Sequence, residues 1–452
     1  MNDAVGTLKN SIIKLTEEKK YAALRDVLST MNSADIAALF EEEIPEETLP
    51  LLFRLLPKEL AADTFVEMSA DQQEMLIKGF SDNELKEVVD ELYVDDAVDI
   101  VEEMPANVVK RILTQADPEK RRMINNILKY PDDSAGSIMT TEFVELRPHM
   151  TVDDAILHIR RGGIDKETIN TCFVCKKDRT LIGMVTIKDL ILAESDTTME
   201  ELMDENIISV GTLEDQEAVA LAFSKYDFLA MPVVDGEGRL VGIVTVDDVL
   251  DVMEQETTED IEKMAAIVPA DKPYLKQSTF DLWKSRIPWL LLLMISATFT
   301  GLIISSFEDA LSKYVILTAY IPMLMDTGGN SGGQASVTII RAISLGEIEF
   351  KDIFKVIWKE FRVALVCGIT LAVCNFAKLM LFDGLELMVA LTICLTLVVT
   401  VFCAKFVGCT LPLLAKKIGF DPAVMASPFI TTIVDAISLL VYFYFSSMLL
   451  HI

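Results

Sequence analysis

Residues Pro422–Leu450 read PAVMASPFITTIVDAISLLVYFYFSSMLL, an apolar run longer than the ~20 residues that cross a bilayer as a helix. Its one charge, Asp435, lies near the middle. A carboxylate at that depth costs roughly 2.5–3.5 kcal/mol on insertion scales, so it faces a partner or a polar path. Upstream, the apolar stretch between Lys313 and Arg341 is interrupted by Asp326-Thr-Gly-Gly-Asn330-Ser-Gly-Gly-Gln334. Two such interruptions at membrane depth predict a lined path for a cation.

Working outward, five apolar spans are expected, near 287–306, 315–340, 363–382, 387–414 and 423–449. Lys276, Lys284 and Arg286 precede the first. Arg341, Lys351, Lys355, Lys359 and Arg362 separate the second from the third, and Lys416 and Lys417 separate the fourth from the fifth. Near the other face only Lys313 and Lys378 lie beside Glu308, Asp309, Asp383 and Glu386. The bias of basic residues toward the cytoplasm predicts a multi-pass protein of the cell membrane with its amino terminus inside and its carboxyl terminus outside.

The formal charge of −30 belongs to the region before these spans: residues 1–275 hold 58 Asp+Glu against 27 Lys+Arg, and residues 276–452 hold 12 against 13. Such a field repels nucleic acid and gathers cations. No cleavable signal is recognised in Met1–Thr30, so the acidic region is expected in the cytoplasm. Five of the seven cysteines fall in the apolar spans, and Cys172-Phe-Val-Cys175 has no second pair at zinc spacing, which predicts a strand. Three histidines in the whole chain make an imidazole-bound metal improbable, so a metal here is expected to be hard and oxygen-bound.

Two kinds of repeat fill the acidic region. From Pro57 to Leu128 the chain reads in twelves: Pro57–Met68, Ser69–Phe80, Ser81–Leu92, Tyr93–Met104, Pro105–Ala116 and Asp117–Leu128. Several open on Ser, Asp or Pro and continue with apolar residues at helical spacing, such as Leu85, Val88, Val89 and Leu92, which predicts short helices stacked into a superhelix. Next, Leu181-Ile-Gly183-Met-Val-Thr186-Ile-Lys-Asp189-Leu recurs 59 residues later as Leu240-Val-Gly242-Ile-Val-Thr245-Val-Asp-Asp248-Val. Met139-Thr-Thr-Glu precedes one copy and Met203-Asp-Glu-Asn the other. This unit resembles a tandem pair of cystathionine-β-synthase (CBS) domains. The resemblance implies that Thr186, Asp189, Thr245 and Asp248 hold ATP or another adenine nucleotide; a second reading is that they only cap the helices that follow.

The whole chain resembles the MgtE family of magnesium transporters. The motifs that carry the likeness are Tyr130-Pro-Asp-Asp-Ser-Ala-Gly136, Pro322 with Gly328-Gly-Asn330-x-Gly332-x-Gln334, and Asp421-Pro422 with Thr431-Thr-Ile-Val-Asp435. The expected fold is a multidomain membrane protein: an all-α superhelical N-terminal domain (1–131), an α/β tandem CBS pair (132–200 and 201–250), a connecting or plug helix (251–280) and a transmembrane domain of five helices (281–452). The resemblance implies a homodimer in the lipid bilayer that imports Mg2+. Its pore is formed by spans two and five, with Asp435 as the principal carboxylate and Asp326 and Asn330 beside it. It further implies that cytoplasmic Mg2+ closes the pore through Asp95, Asp99, Glu217, Asp227, Asp248, Asp251, Glu256, Glu259, Asp260 and Asp421.

The residues themselves agree with such a gate. Asp247 and Asp251, Asp248 and Asp251, Asp251 and Glu254, and Glu256 and Asp260 stand three or four apart, so each pair is adjacent on a helix surface and repels. A divalent cation between such faces relieves that repulsion. Mg2+ keeps much of its hydration shell, so few carboxylates suffice to hold it in a pore. The glycines of span two either let helices approach closely or expose backbone carbonyls in a broken helix. Asp435 either lines the path or pairs with Lys405, the one charge inside span four, and Asp421 also suits an N-cap before Pro422. The alternatives to a channel are an ion-coupled carrier built on a broken span two and a nucleotide-sensing scaffold with a membrane anchor. An enzyme is not expected: no Gly-x-x-x-x-Gly-Lys-Ser/Thr loop and no nucleophile paired with a base is present.

Overall fold

The computed structural model describes residues 11–16, 18–45, 47–270 and 274–451. These form two compact units, one ending at Val252 and the other starting at Met253. The start of the expected N-terminal domain (1–10) and residues 271–273 of the connecting segment lie outside the described residues.

In the first unit the twelve-residue period becomes six helices: Lys58–Val66, Ala70–Gly79, Asp82–Glu91, Val94–Glu103, Ala106–Gln115 and Pro118–Ile127. Each is N-capped by the residue that opens its repeat: Pro57, Ser69, Ser81, Tyr93, Pro105 and Asp117. Ser81 and Glu84 form a reciprocal capping box, an arrangement whose cap residue is worth roughly 1 kcal/mol. Alternate helices pack on one another: Lys58–Val66 on Asp82–Glu91, Asp82–Glu91 on Ala106–Gln115, and Val94–Glu103 on Pro118–Ile127. One ridge of apolar side chains, including Phe65, Leu76, Leu85, Val98 and Ile112, runs buried between the two rows.

The second repeat forms two three-stranded sheets of identical plan. Val144–Leu146 lies parallel to Thr171–Cys175, which lies antiparallel to Leu181–Thr186. Val210–Gly211, Ala230–Val234 and Leu240–Thr245 repeat that order, and each antiparallel pair slips register at the same place. The two copies exchange segments. Thr140, ahead of the first copy, trades both backbone hydrogen bonds with Ile243 of the second at 2.8 and 2.9 Å, and Met184 trades two with Asp204 at 3.1 and 2.9 Å. A β-carbon added at Gly242 would sit 2.6 Å from Met139 Sδ, and one at Gly183 would overlap Met203. Cys172 and Cys175 are free and buried in the strand, in separate apolar clusters, and burial pushes both thiols up to about 12.

In the second unit, four helices among the described residues are long and apolar enough to cross a membrane: Thr279–Ser306, Phe350–Leu381, Leu387–Lys417 and Pro422–Leu450. The helix Ile321–Ser344 has sufficient length at 24 residues but carries Asp326, Asn330 and Gln334. Leu387–Lys417 is the hub, packing on Ile321–Ser344, Ile353–Leu381 and Ser427–Leu450. Its apolar stretch is 56% buried, against 6% for Thr279–Ser306 at the periphery.

Ile321–Ser344 is continuous through its glycines, which corrects the broken-helix reading of span two. The glycines serve close approach instead, while every backbone group stays within the helical ladder, as an apolar surround requires. A β-carbon at Gly328 would meet Thr400 Cγ2 at 2.8 Å and Val434 Cγ1 at 2.9 Å. One at Gly408 would overlap the carbonyl oxygen of Gly332. Backbone cannot swing aside as a side chain can. Gly408→Ala is therefore expected to destabilise the membrane unit by roughly 1–3 kcal/mol, read as a lower unfolding midpoint of the detergent-solubilised protein; an unchanged midpoint would show that the helices move apart at no cost.

Candidate ion path and acidic gate

Asp435 sits midway along Ser427–Leu450. Its Oδ1 is buried without a hydrogen-bond partner, and its helix packs on Ile321–Ser344, which carries Asp326. Lys405 does not neutralise it. That ammonium, with its side chain 7% exposed, lies 3.8 Å from Glu360 Oε2 on Ile353–Leu381. The alternative of an Asp435–Lys405 pair is thereby corrected: a different acid, Glu360, holds the lysine. Removing either partner of such a buried pair costs more than the pair contributes, because it strands a charge.

The face of Ile321–Ser344 opposite its glycines is polar. Asp326, Asn330, Gln334 and Thr338, four residues apart, are all exposed, whereas Leu324, Gly328, Ser331, Gly332, Ala335 and Ile339 are buried. Spacing of four keeps these side chains in one row. A carboxylate, an amide pair and a hydroxyl in a row do not suit lipid. They suit water, an ion, or a second copy of the chain. Asp326 and Asn330 were expected here; Thr338 was missed, although the four-residue step from Gln334 is its signal.

In the first unit, Asp63, Asp95, Asp96, Glu167, Asp247 and Asp248 line a cavity of about 260 Å3. Asp95 is 7% exposed, and its Oδ1 and Glu167 Oε2 are buried without hydrogen-bond partners. Burial first, then repulsion from Asp96 and Glu142, pushes the Asp95 carboxyl up to about 8. Burial and Asp248 raise Asp96 to about 7. Burial and Asp95 raise Asp248 to about 7 against the opposing bond from Thr245. Burial and then Asp95 raise Glu167 to about 9. Among the described residues no three His, Cys, Asp or Glu converge as a ready-made metal cage. The arrangement therefore suits a hydrated cation met through its waters, and its charge would relieve every one of these shifts. Asp96 belongs with Asp95 and Asp99 to the acid cluster visible in the sequence, whereas Asp63 and Glu167 were missed because they come from separate segments with no shared spacing.

The other expected acids divide. Asp99 is exposed, within electrostatic reach of Asp248 and Asp251. Glu217 opens the helix Gln216–Tyr226 and Asp227 closes it, roughly 15 Å away at helical rise, so within one chain no single ion is held by both. Thr186 and Asp189 form a reciprocal capping box, which is the capping reading of that pair; at the corresponding turn of the second copy Thr245 donates its hydroxyl and its backbone N–H to Asp248, one half of that arrangement.

In the second unit, Lys263 Nζ lies 2.7 Å from Asp421 Oδ2 and 2.6 Å from Glu259 Oε1. Asp421 also caps its turn, accepting from the Ala423 backbone N–H at 2.7 Å. Burial would lower the Lys263 amine, but the two carboxylates override it and hold it above its ordinary value. Asp260 accepts a long bond, 3.4 Å, from Ser344, and Glu256 stands one turn before it on the same helix. Lys263 itself was not singled out in the sequence.

Comparisons with known proteins find matches to all three regions of the chain. A family model described as MgtE, divalent cation transporter, matches residues 321–445; a second, the MgtE intracellular N domain, matches 31–133; and the CBS domain matches 135–196 and 199–255. The magnesium transporter MgtE of Thermus thermophilus is 37% identical over 445 residues, 98% of each chain, and that of Bacillus subtilis is 32% identical over 448, 97% of each. Among solved structures, the cytosolic domain of the Mg2+ channel MgtE in complex with ATP is 37% identical, with a TM-score of 0.52 over 54% of this chain and 99% of its own. With near-complete coverage by two such relatives, and matches in all three regions, the chain belongs to the MgtE family of magnesium transporters.

Proposed function

We propose that this chain is a channel-like Mg2+ importer whose pore is lined by Ile321–Ser344 and Ser427–Leu450 from two copies of the chain. One observation carries the reading: Asp435, with an oxygen lacking any hydrogen-bond partner, lies beside a helix whose polar row faces away from its own protomer. A symmetric pair of such rows supplies what the membrane otherwise forbids, a polar surface enclosed by protein. Asp326 and Asn330 would then meet the hydrated ion beside Asp435. In this reading Ile321–Ser344 is a fifth crossing, which places the acidic region inside the cell and His451 outside. The continuous helix removes the structural motive for a carrier with a broken span two.

Closure by cytoplasmic Mg2+ follows from the crowded carboxylates. In the reading adopted here, Asp95, Asp99, Asp248 and Asp251 with Glu217 and Asp227 in the soluble region, and Glu256, Glu259, Asp260 and Asp421 toward the membrane, repel when bare. They hold a closed arrangement when cations lie among them. Only a higher affinity for that arrangement makes Mg2+ a closing ligand. An adenine nucleotide at the CBS pair rests on the relative solved with ATP, with Thr186, Asp189, Thr245 and Asp248 as its contacts. The domain limits given above, with 251–280 as the connecting segment, belong to the same proposal.

Two outcomes are expected. Asp435→Ala lowers Mg2+ uptake into reconstituted vesicles at least about tenfold, a factor worth about 1.4 kcal/mol, while the protein still elutes as wild type; normal uptake would remove Asp435 from the pore. For the gate, the sign follows from the raised carboxyls. The packed arrangement holds protons on Asp95, Asp96, Asp248 and Glu167 up to about pH 7–9, whereas freed chains lose them near pH 4. Stability is therefore full below about pH 4 and falls as pH rises through about 8. In chelator, the protection factors of the Val94–Glu103 amides, taken relative to intrinsic base-catalysed exchange, should fall between about pH 6 and about pH 8.5, excess Mg2+ should flatten that fall, and Asp95→Asn should raise protection at the upper end by on the order of 2 kcal/mol. Protection factors indifferent to both pH and Mg2+ would dismiss the cavity as a cation sensor.

A further inference from the structure

Lys263 joins two acids that the gating proposal assigns to magnesium. Its ammonium lies 2.6 Å from Glu259, one turn earlier on the same helix, and 2.7 Å from Asp421, which precedes the last membrane helix. Both oxygens of Asp421 are engaged, Oδ2 by Lys263 and Oδ1 by the Ala423 N–H. The chain brings its own cation to this junction: the one ammonium bridges both carboxylates and offsets one of their two charges, so the contact forms without an added ion. The contact is also not a loose surface pair. Lys263 is 23% exposed, and its neighbour Met264 packs on Ile340, Ala423 and Ala426. Partial burial with apolar cover strengthens a pair beyond the 0–1 kcal/mol usual at a surface.

We infer that Lys263 is a built-in counter-ion that docks the 253–264 segment onto the 421–426 turn without Mg2+, so that this contact is a standing latch on which any closing by Mg2+ builds. The inference rests on the proposed role of this segment as the plug. It adds a specific asymmetry to that reading. Glu259 and Asp421 repel once the ammonium is gone, so losing Lys263 should undock the segment in the absence of divalent ions. Any closing by Mg2+ then starts from a more open population and needs more ion to reach the midpoint.

The test uses the full chain in chelator, with amide hydrogen exchange over residues 253–268 as the primary readout. Lys263→Gln should exchange about tenfold faster than wild type, a loss of about 1.4 kcal/mol in local opening. Lys263→Arg, which keeps the charge, should protect the segment as wild type does. Asp421→Asn keeps an oxygen for the Ala423 cap and loses the charge; it should match Lys263→Gln, and the double variant should be no faster than either single one. In vesicle flux, Lys263→Gln should raise the half-closing Mg2+ concentration several-fold. Wild-type protection in Lys263→Gln, or a half-closing concentration unchanged or lowered, overturns the latch. If the wild type shows no Mg2+-dependent flux, the gating reading fails, and the exchange result alone decides whether the latch exists.

Discussion

Contact between the Gly332 and Gly408 backbones is the constraint from which the membrane unit's arrangement follows. Two helices that touch through glycine leave no freedom in which face of each is turned inward. Gly328 seats Thr400 and Val434, and Gly332 seats Ile430, so the same face of Ile321–Ser344 is committed to both of its neighbours. Asp326, Asn330, Gln334 and Thr338 consequently have one direction left. The polar row is thus a by-product of tight packing on the other side as much as a feature in itself. It explains why a helix too polar to rank with the four apolar ones lies among them.

Charge is handled in three ways. Lys405 is balanced by Glu360, and Lys263 is bridged to Asp421 and Glu259, offsetting one of their two charges. Asp435 is left with an oxygen unsatisfied. Asp95, Asp96, Asp248 and Glu167 are left crowded, each raising another. Balanced sites cost little at rest and respond weakly to ions. Unbalanced ones store electrostatic free energy that only a proton or a cation relieves. The distribution separates elements that hold the structure from elements able to respond.

Legibility from the sequence tracks how local the governing physics is. The helices of the twelve-residue repeat were readable because the residue that opens each repeat is the helix's N-cap position, and the two sheets were readable because Gly183 and Gly242 recur in the same setting. Asp435 stood out because a charge inside an apolar run is visible without any fold. What the sequence withheld depends on distant segments meeting. Glu167 joins the acidic cavity from a loop 72 residues beyond Asp95; Lys405 finds Glu360, a partner the sequence did not suggest; and Lys263 reaches Asp421 across 158 positions. The glycine stretch was ambiguous for a related reason. Breaking a helix and packing one tightly ask for the same residue, and only the neighbours, Thr400, Val434 and Gly408, decide between them.

The exchange between the two CBS copies has a mechanical consequence. Met139 fills the space over Gly242 while Met203 fills that over Gly183, and each copy completes the other's sheet through Thr140 and Asp204. Sliding one copy past the other would tear both seams at once. The two copies are therefore stitched together at two places, so that a shift of one relative to the other must break both.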